Sequence, residues 1–349
     1  MAVKDSVLDA LKEHKGTYLS GEKLSDDFGV SRAAVWKAIK SLREEGYIID
    51  AVTNRGYMLK DAGHEITADE IRSQLPSRYK GNGIFFYDTT DSTNMRAKQL
   101  ITEETSGAGA KSGDLNGTII SAGQQTAGRG RLGRSFFSPK EGIYISIIIK
   151  PKFDISESTL VTVAAASAVA EAVDQVCGQE HETEIKWVND IYLNKKKICG
   201  ILTEGIADFE SGQIDYMITG IGINTSLEGF PKELKQTAGA IEGDWPRAKL
   251  IAEIMSRFLD YVSRIEERRF MTTYRDKSML IGEDVLVYRG TYRKNPDDEL
   301  EGIPARVTGI SDEGGLEIIK SDGSREILTT GEVTVRTADG SRGKPSRSR

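Results

Sequence analysis

Cysteine is nearly missing from this chain. Its 349 residues hold only Cys177 and Cys199, in no CxxC pairing, so a disulfide framework is excluded and a reducing compartment is expected. The three histidines, His14, His64 and His181, are scattered, which leaves no His-based metal site or nucleophilic triad to argue from. No GxxxxGKS or GxxxxGKT run occurs, and a P-loop is therefore out. The N-terminus carries no signal-peptide pattern and the longest apolar runs fall far short of a bilayer span, so the expectation is a cytoplasmic protein without membrane contact. A formal charge of −6 excludes a globally basic coat and confines any nucleic-acid contact to a local patch. No internal repeat is present.

With 38% hydrophobic and 29% charged residues, the chain reads as an ordinary soluble globular protein of two or three domains with room for a sizeable core. Its densest signal is Gly128-Arg129-Gly130-Arg131-Leu132-Gly133-Arg134, where three glycines and three arginines interleave. Glycine lets backbone N–H groups approach an anion, and arginine adds forked, permanently charged donors. The loop is expected to stay open until an anionic ligand orders it; the bland alternative is a solvated basic loop. The segment also matches GxGxxG, but a dinucleotide fold needs a helix after the glycines, and here Ser135 to Pro139 leads into a second strand pattern, Ile143 to Ile149.

Residues 1–63 read as a winged helix-turn-helix unit. Helices are expected from Asp5 to Lys15, from Gly21 to Phe28 behind a Ser20 cap, and from a Ser31 cap to Glu45, with Gly29 turning between the last two. On the third helix Val35, Ala38, Ile39 and Leu42 share one face and Ala33, Lys37 and Lys40 the other, which suits a major groove. Tyr47 to Asp50 and Gly56 to Leu59 would be the wing strands, with Arg55 at the tip; an ordinary three-helix domain with a solvated lysine face is the competing reading. Residues 65–275 alternate strand and helix patterns, with helices expected over Asn94 to Leu100, Thr159 to Cys177 and Arg247 to Arg268 and the later strands over Ile185 to Val188, Ile191 to Leu193 and Ile214 to Ile221, and imply an α+β domain, a mixed sheet with packed helices. Residues 278–336 switch to short strands and turns, a small β-barrel, and residues 337–349 make a basic tail expected to be disordered.

Polar clusters punctuate the large domain at strand ends. In Ser92-Thr93-Asn94 a helix cap and a ligand contact are equally open readings. Lys186, between Ile185 and Trp187 in a half-buried strand, needs an anion, either from the protein or from a ligand.

Taken in order, Ser92-Thr93-Asn94, Gln125-Thr126-Ala127-Gly128-Arg129-Gly130-Arg131 with Gly133-Arg134, Lys186-Trp187-Val188-Asn189-Asp190, Lys197 with Gly200-Ile201-Leu202 and Glu204, Gly222-Ile223-Asn224, and Gly331-Glu332-Val333 resemble the bacterial family of bifunctional biotin protein ligases and biotin operon repressors. Ser31-Arg32-Ala33-Ala34-Val35-Trp36-Lys37 is similar to that family's recognition helix, and the resemblance spans essentially the whole chain. It implies a class II synthetase-like catalytic sheet and an SH3-like C-terminal barrel. It also implies ATP-dependent ligation of biotin, through biotinyl-5′-adenylate, to a lysine of the biotin carboxyl carrier domain of acetyl-CoA carboxylase or another biotin-dependent carboxylase. Biotin-responsive repression at operator DNA goes with it.

By that resemblance Ser92, Thr93, Asn94, Gln125, Arg129, Gly130, Arg131 and Lys186 would hold biotin, and Arg129, Arg131, Arg134, Phe136, Asn189 and Asn224 would hold ATP or adenylate. Lys186 and Arg131 would act in catalysis; Mg²⁺ would come with ATP, near Asn224, without a protein cage; Ser31, Arg32, Ala33, Lys37, Lys40 and Arg55 would meet DNA. A homodimer is expected when adenylate is bound, built on the loop and on the edge of the strand Ile143 to Ile149, unless that strand is plain core. Phe136 stands where the family commonly has Trp, which loses an indole donor, and Val188 where it commonly has Pro; the segment Gly107 to Asn116 has no functional reading. The competing functions are a repressor that senses biotin without ligating it and a lipoate-type ligase of the same superfamily.

Overall fold

The computed structural model describes residues 3–14, 17–44, 49–52, 55–59, 66–106, 114–140, 142–153, 157–178, 182–207, 214–243, 245–289, 302–329 and 333–337. The wing tip at Thr53 and Asn54, the linker Asp61 to Gly63, most of the segment Gly107 to Asn116, Gly331-Glu332 and the basic tail lie outside these residues. The chain divides into two compact units, Met1–Ile66 and Thr67–Arg349.

The first unit holds α1 (Val3–Glu13), α2 (Gly21–Phe28), α3 (Arg32–Glu44) and the hairpin β1 (Ile49–Val52) and β2 (Gly56–Leu59). Local chemistry sets its corners. The Ser20 hydroxyl accepts the Lys23 N–H, Gly29 turns at φ 61°, and the Ser31 hydroxyl accepts the Ala34 N–H. Val35, Ala38, Ile39 and Leu42 of α3 are buried against Val7, Leu11, Leu19 and Leu24. Leu19 and Tyr57 exchange two backbone hydrogen bonds of 2.8 Å, which add a third short strand to the wing.

The second unit is built on a seven-stranded sheet of order β3 (Ile84–Tyr87), β4 (Ile119–Ala122), β5 (Ile143–Ile149), β9 (Ile214–Ile223), β8 (Lys196–Ala207), β7 (Asp190–Leu193), β6 (Glu184–Lys186), antiparallel except for the β3/β4 pair. One face packs on α6 (Ser158–Cys177), whose Thr162 hydroxyl donates to Thr203 of β8. On the other face α5 (Thr93–Ser106) covers one end, with Ala97 and Ile101 against Ile120, Ile148 and Ile218. The remainder of that second face belongs to the site. After β9 comes a single turn of helix, α7 (Lys232–Lys235). The α8 helix (Arg247–Val262) packs on α6, and α4 (Ala68–Gln74) packs on α8 behind a Thr67/Glu70 capping box.

Four expectations change here. β5 is paired on both sides and all seven of its residues are buried, so it offers no edge to a second copy; the continuous apolar run is core. β8, twelve residues long, is hidden in the sequence because Gly200 and Gly205 interrupt its pattern. The single helix expected from Arg247 to Arg268 stops at Val262, and a separate α9 (Phe270–Asp276) follows. Finally, α6 is by length and composition apolar enough to cross a bilayer, contrary to the reading of short apolar runs, yet most of it is buried inside this unit.

The C-terminal strands β10 (Asp284–Arg289), β11 (Ile303–Ile310), β12 (Leu316–Lys320), β13 (Arg325–Leu328) and β14 (Val333–Thr337) form an antiparallel sheet of order β13-β12-β11-β10-β14. It is fastened to the rest of the unit, at the turn after β6 and at α9, by specific bonds. Trp187 Nε1 donates to Gly314 O at 2.9 Å, and Arg275 Nε donates to Ile310 O at 3.1 Å.

Candidate functional site

Residues directly opposite each other across antiparallel strands share a face of the sheet. The register therefore draws a row across the open face: Lys186 (β6), Asp190 (β7), Gly200 (β8), Gly222 (β9), Tyr144 (β5). The next row holds Leu202, Gly220 and Ser146. Glycine at the centre of both rows leaves the sheet backbone bare, a floor that a ring or a ligand can lie on.

The ring that lies there is Phe136. A Cβ on Gly222 would come within 2.5 Å of Phe136 Cε1, and one on Gly200 within 3.0 Å of Cε2. Phe136 is delivered by the Gly/Arg segment, which is a hairpin rather than an open loop: Phe136 N–H donates to Gly128 O at 2.8 Å and Gly130 N–H to Arg134 O at 2.7 Å, around a 3₁₀ turn at Arg131–Gly133. Gly128 is required by closeness, since its Cβ would sit 2.4 Å from Phe136 O, and Gly133 by its φ of 71°.

Gln125 ties the hairpin to α5. Its Oε1 accepts the Thr93 N–H at 2.8 Å and lies 3.1 Å from the Thr93 hydroxyl, while its Nε2 donates to Ser138 Oγ at 2.9 Å. The free N–H at the start of α5 is thus met by Gln125, not by the Ser92 hydroxyl, although Ser92 holds the N-cap position and is buried. Asn94 lies close against Gly220, where a Cβ would come within 2.3 Å of its Oδ1. Its Nδ2 donates to Glu204 Oε2 at 2.8 Å, and Lys98 Nζ sits 2.7 Å from Glu204 Oε1.

Arg131 is the arginine that turns inward. Its NH1 donates to Asn189 Oδ1 at 3.1 Å, and Asn189 Nδ2 donates to Ile201 O at 2.8 Å, which anchors the guanidinium to β8. Burial lowers its pKa from the ordinary value, with the nearby Asp190 carboxylate opposing. Arg129 and Arg134 are exposed on the hairpin. Lys186 is half-buried, its Nζ 5.9 Å from the Tyr192 ring centre, and the neighbouring carboxylate, Asp190, lies 2.6 Å from Lys197 Nζ. Asn224 serves the framework. Its Nδ2 donates to Gly239 O at 3.0 Å, its backbone bridges Ile198 and Ile241, and its Oδ1 is buried without a hydrogen-bond partner among the described residues. No group of three His, Cys, Asp or Glu side chains converges as a metal cage among the described residues.

Two participants escaped the sequence. Ser146 and Ser138 carry hydroxyls that bind the Thr93, Asn94 and Gln125 side chains. Ser146 had a signal, a lone hydroxyl inside Ile-Tyr-Ile-Ser-Ile-Ile-Ile, because a fully buried polar group needs a partner.

In the first unit Ser31, Arg32, Ala33, Lys37 and Lys40 lie on the exposed side of α3, and Arg55 is exposed at the wing. Arg32 is paired with Glu22 at 2.5 Å. Trp36, which the groove-facing set left out, stands 55% exposed on that same side with Lys40 Nζ 5.9 Å from its ring.

Comparison with known proteins agrees with this layout. Residues 91–224 match the biotin/lipoate A/B protein ligase family and residues 4–58 match an HTH domain. The bifunctional ligase/repressor BirA of Bacillus subtilis is 32% identical over 335 residues, 94% of this chain and 97% of the relative, and that of Escherichia coli is 27% identical over 333 residues, 93% and 95% of the two chains. Among solved structures, the biotin protein ligase from Aquifex aeolicus in complex with biotin and ATP superposes with a TM-score of 0.58 at 26% identity, over 73% of this chain and 99% of that one. Ligase family match and HTH match thus occur in one chain that aligns with the Bacillus subtilis relative over nearly its whole length, and this chain belongs to the bifunctional ligase/repressor branch of the biotin/lipoate A/B protein ligase family.

Proposed function

We propose that the second unit joins biotin to ATP as biotinyl-5′-adenylate and then transfers the biotinyl group to a lysine of a biotin carboxyl carrier domain, that of acetyl-CoA carboxylase or another biotin-dependent carboxylase. The observation that carries this reading is the Arg-bearing hairpin lying over a glycine floor whose row begins at Lys186. The first step brings together two anions, so its barrier is largely electrostatic. A carboxylate oxygen of biotin attacks the α-phosphorus, the new P–O bond forms as the bond to pyrophosphate breaks, and preorganised positive charge lowers the repulsion. Lys186, Arg131 and Arg129 are the cations that supply this charge, with Arg134 toward the phosphates. Phe136 would carry the adenine, Thr93 and Gln125 the ureido ring of biotin, and Gly130 and Arg131 would close over it. In the second step the carrier amine attacks the acyl carbon, AMP leaves, and the amine loses its proton.

Ser92 remains assigned to the biotin side, Asn189 to the adenylate side through Arg131, and Asn94 to support of Thr93. Asn224 would face ATP only through its Oδ1. Mg²⁺ is taken to arrive with ATP; the described residues build no cage for it, and no step here is assigned to it. We read the C-terminal sheet as an SH3-like barrel and the catalytic sheet as class II synthetase-like, and place the protein in the cytoplasm. The first unit is proposed to repress at operator DNA, with adenylate favouring a homodimer whose two recognition helices reach two half-sites. Transfer of radiolabelled biotin to an apo carrier domain, dependent on ATP, tests the ligase. A protein that binds biotin and operator without any transfer would leave only the sensing repressor.

A further inference from the structure

Five side chains behind the hairpin form one hydrogen-bonded line: Glu204, Asn94, Ser146, Thr93, Gln125. Ser146 Oγ lies 2.6 Å from Asn94 Oδ1 and 2.7 Å from Thr93 Oγ1, and Thr93 Oγ1 lies 3.1 Å from Gln125 Oε1. The two hydroxyls own one proton each, and three short contacts compete for them. Either Ser146 donates to Thr93 and Thr93 to Gln125, which leaves Asn94 Oδ1 without a donor, or Ser146 donates to Asn94 and Thr93 to Ser146. The charge at the Glu204 end decides. Glu204, held by Lys98 at 2.7 Å, accepts only, so Asn94 must present its NH₂ to Glu204 and its Oδ1 to Ser146. A flipped Asn94 would set two acceptors face to face, and the side chain lies too close to Gly220 to turn aside. Burial works to raise the Glu204 pKa, but hydrogen bonds from Lys98 and Asn94, with the Lys98 and Arg129 charges, hold it below the usual carboxylate range.

We propose that Glu204 is a positioning residue: through Asn94 and Ser146 it fixes the direction of the Thr93 proton, and so keeps acceptor lone pairs on Thr93 and Gln125 available to the N–H groups of the biotin ureido ring. In the opposite polarity Gln125 Oε1 takes both the Thr93 N–H and the Thr93 O–H, and its capacity for a ligand donor is spent. This rests on the reading that Thr93 and Gln125 receive biotin.

The test is calorimetric titration of the full chain with biotin alone, together with KM for biotin and ATP. Glu204→Gln, whose amide can donate toward Asn94 and let it flip, is expected to weaken biotin by about tenfold, the scale of one lost hydrogen bond, with kcat and the KM for ATP unchanged. Ser146→Ala should lose as much, and the double variant no more than either single one, because the effect passes through Ser146. The exchange Asn94→Asp with Glu204→Gln restores an acceptor-only group facing Ser146 and should restore affinity; it also carries the test if Glu204→Gln alone melts early. Gln125→Ala separates the layers. If it leaves biotin binding unchanged, the biotin assignment fails and the proposal with it; if it weakens biotin while Glu204→Gln does not, or if the Glu204 and Ser146 losses add, the polarity relay alone is overturned.

Discussion

Replacing Gly222 by Ala puts the floor of the site to a quantitative test. The added Cβ would stand 2.5 Å from Phe136 Cε1 and 2.9 Å from Cζ, so the ring must retreat by roughly 1 Å to regain ordinary contact. It has little freedom to do so, since the Phe136 N–H is bonded to Gly128 O at 2.8 Å and Phe136 O already crowds Gly128. Overpacking of this kind costs about 1–3 kcal/mol. For a unit of this size each kcal/mol lowers the melting temperature by roughly 2–4 °C. The same displacement tilts the platform proposed for adenine, so the KM for ATP in biotin-dependent pyrophosphate exchange should rise while biotin binding changes little. Adding Phe136→Leu should relieve the clash and recover stability but not the ATP affinity. A Gly222→Ala protein with unchanged melting temperature and unchanged KM for ATP would refute the placement of Phe136 on the floor.

Arg131→Gly cuts the tie from the hairpin to Asn189 and should release adenylate early, seen as indiscriminate labelling of bystander lysines; tight retention of adenylate would count against the shielding role. Lys186→Ala should cost about 3 kcal/mol in adenylation while biotin still binds, and near-normal pyrophosphate release would remove Lys186 from the electrostatic assignment. Trp36 is 55% exposed whereas Trp187 and Trp245 are 7% and 6% exposed, so iodide should quench mainly Trp36, and operator DNA should protect it if α3 enters the groove. Quenching that operator DNA leaves untouched would put the contact elsewhere.

The first unit is legible in the sequence because its determinants are local: the Ser20 cap, the Gly29 turn and the apolar phase of α3 all act within a few residues. The Thr67/Glu70 capping box is equally local, yet the seven-residue α4 behind it is not among the expected helices. β8 fails for the opposite reason. Gly200 looks like a strand breaker until the Phe136 ring, 64 positions earlier in the chain, is seen to need the space. The motif marks Asn94 as a biotin contact, but its actual partner, Glu204, is 110 residues away, and no local rule links a helix start to the middle of a distant strand. The two readings of β5 as dimer edge or core are both consistent with six apolar residues in seven; only pairing on both sides separates them.

The bond from Trp187 to Gly314 bears on the order in which the ribosome makes this protein. Chains emerge N-terminus first and domains generally fold as units. The DNA-binding unit is complete once Ile66 is made, whereas the strand carrying Lys186 waits for residue 314 before its neighbour Trp187 finds an acceptor. Interrupted translation or a cut near the C-terminus therefore yields a folded HTH unit beside an unfinished ligase. For a cell this failure is lopsided: damaged copies keep a folded HTH unit while losing the chemistry that informs it.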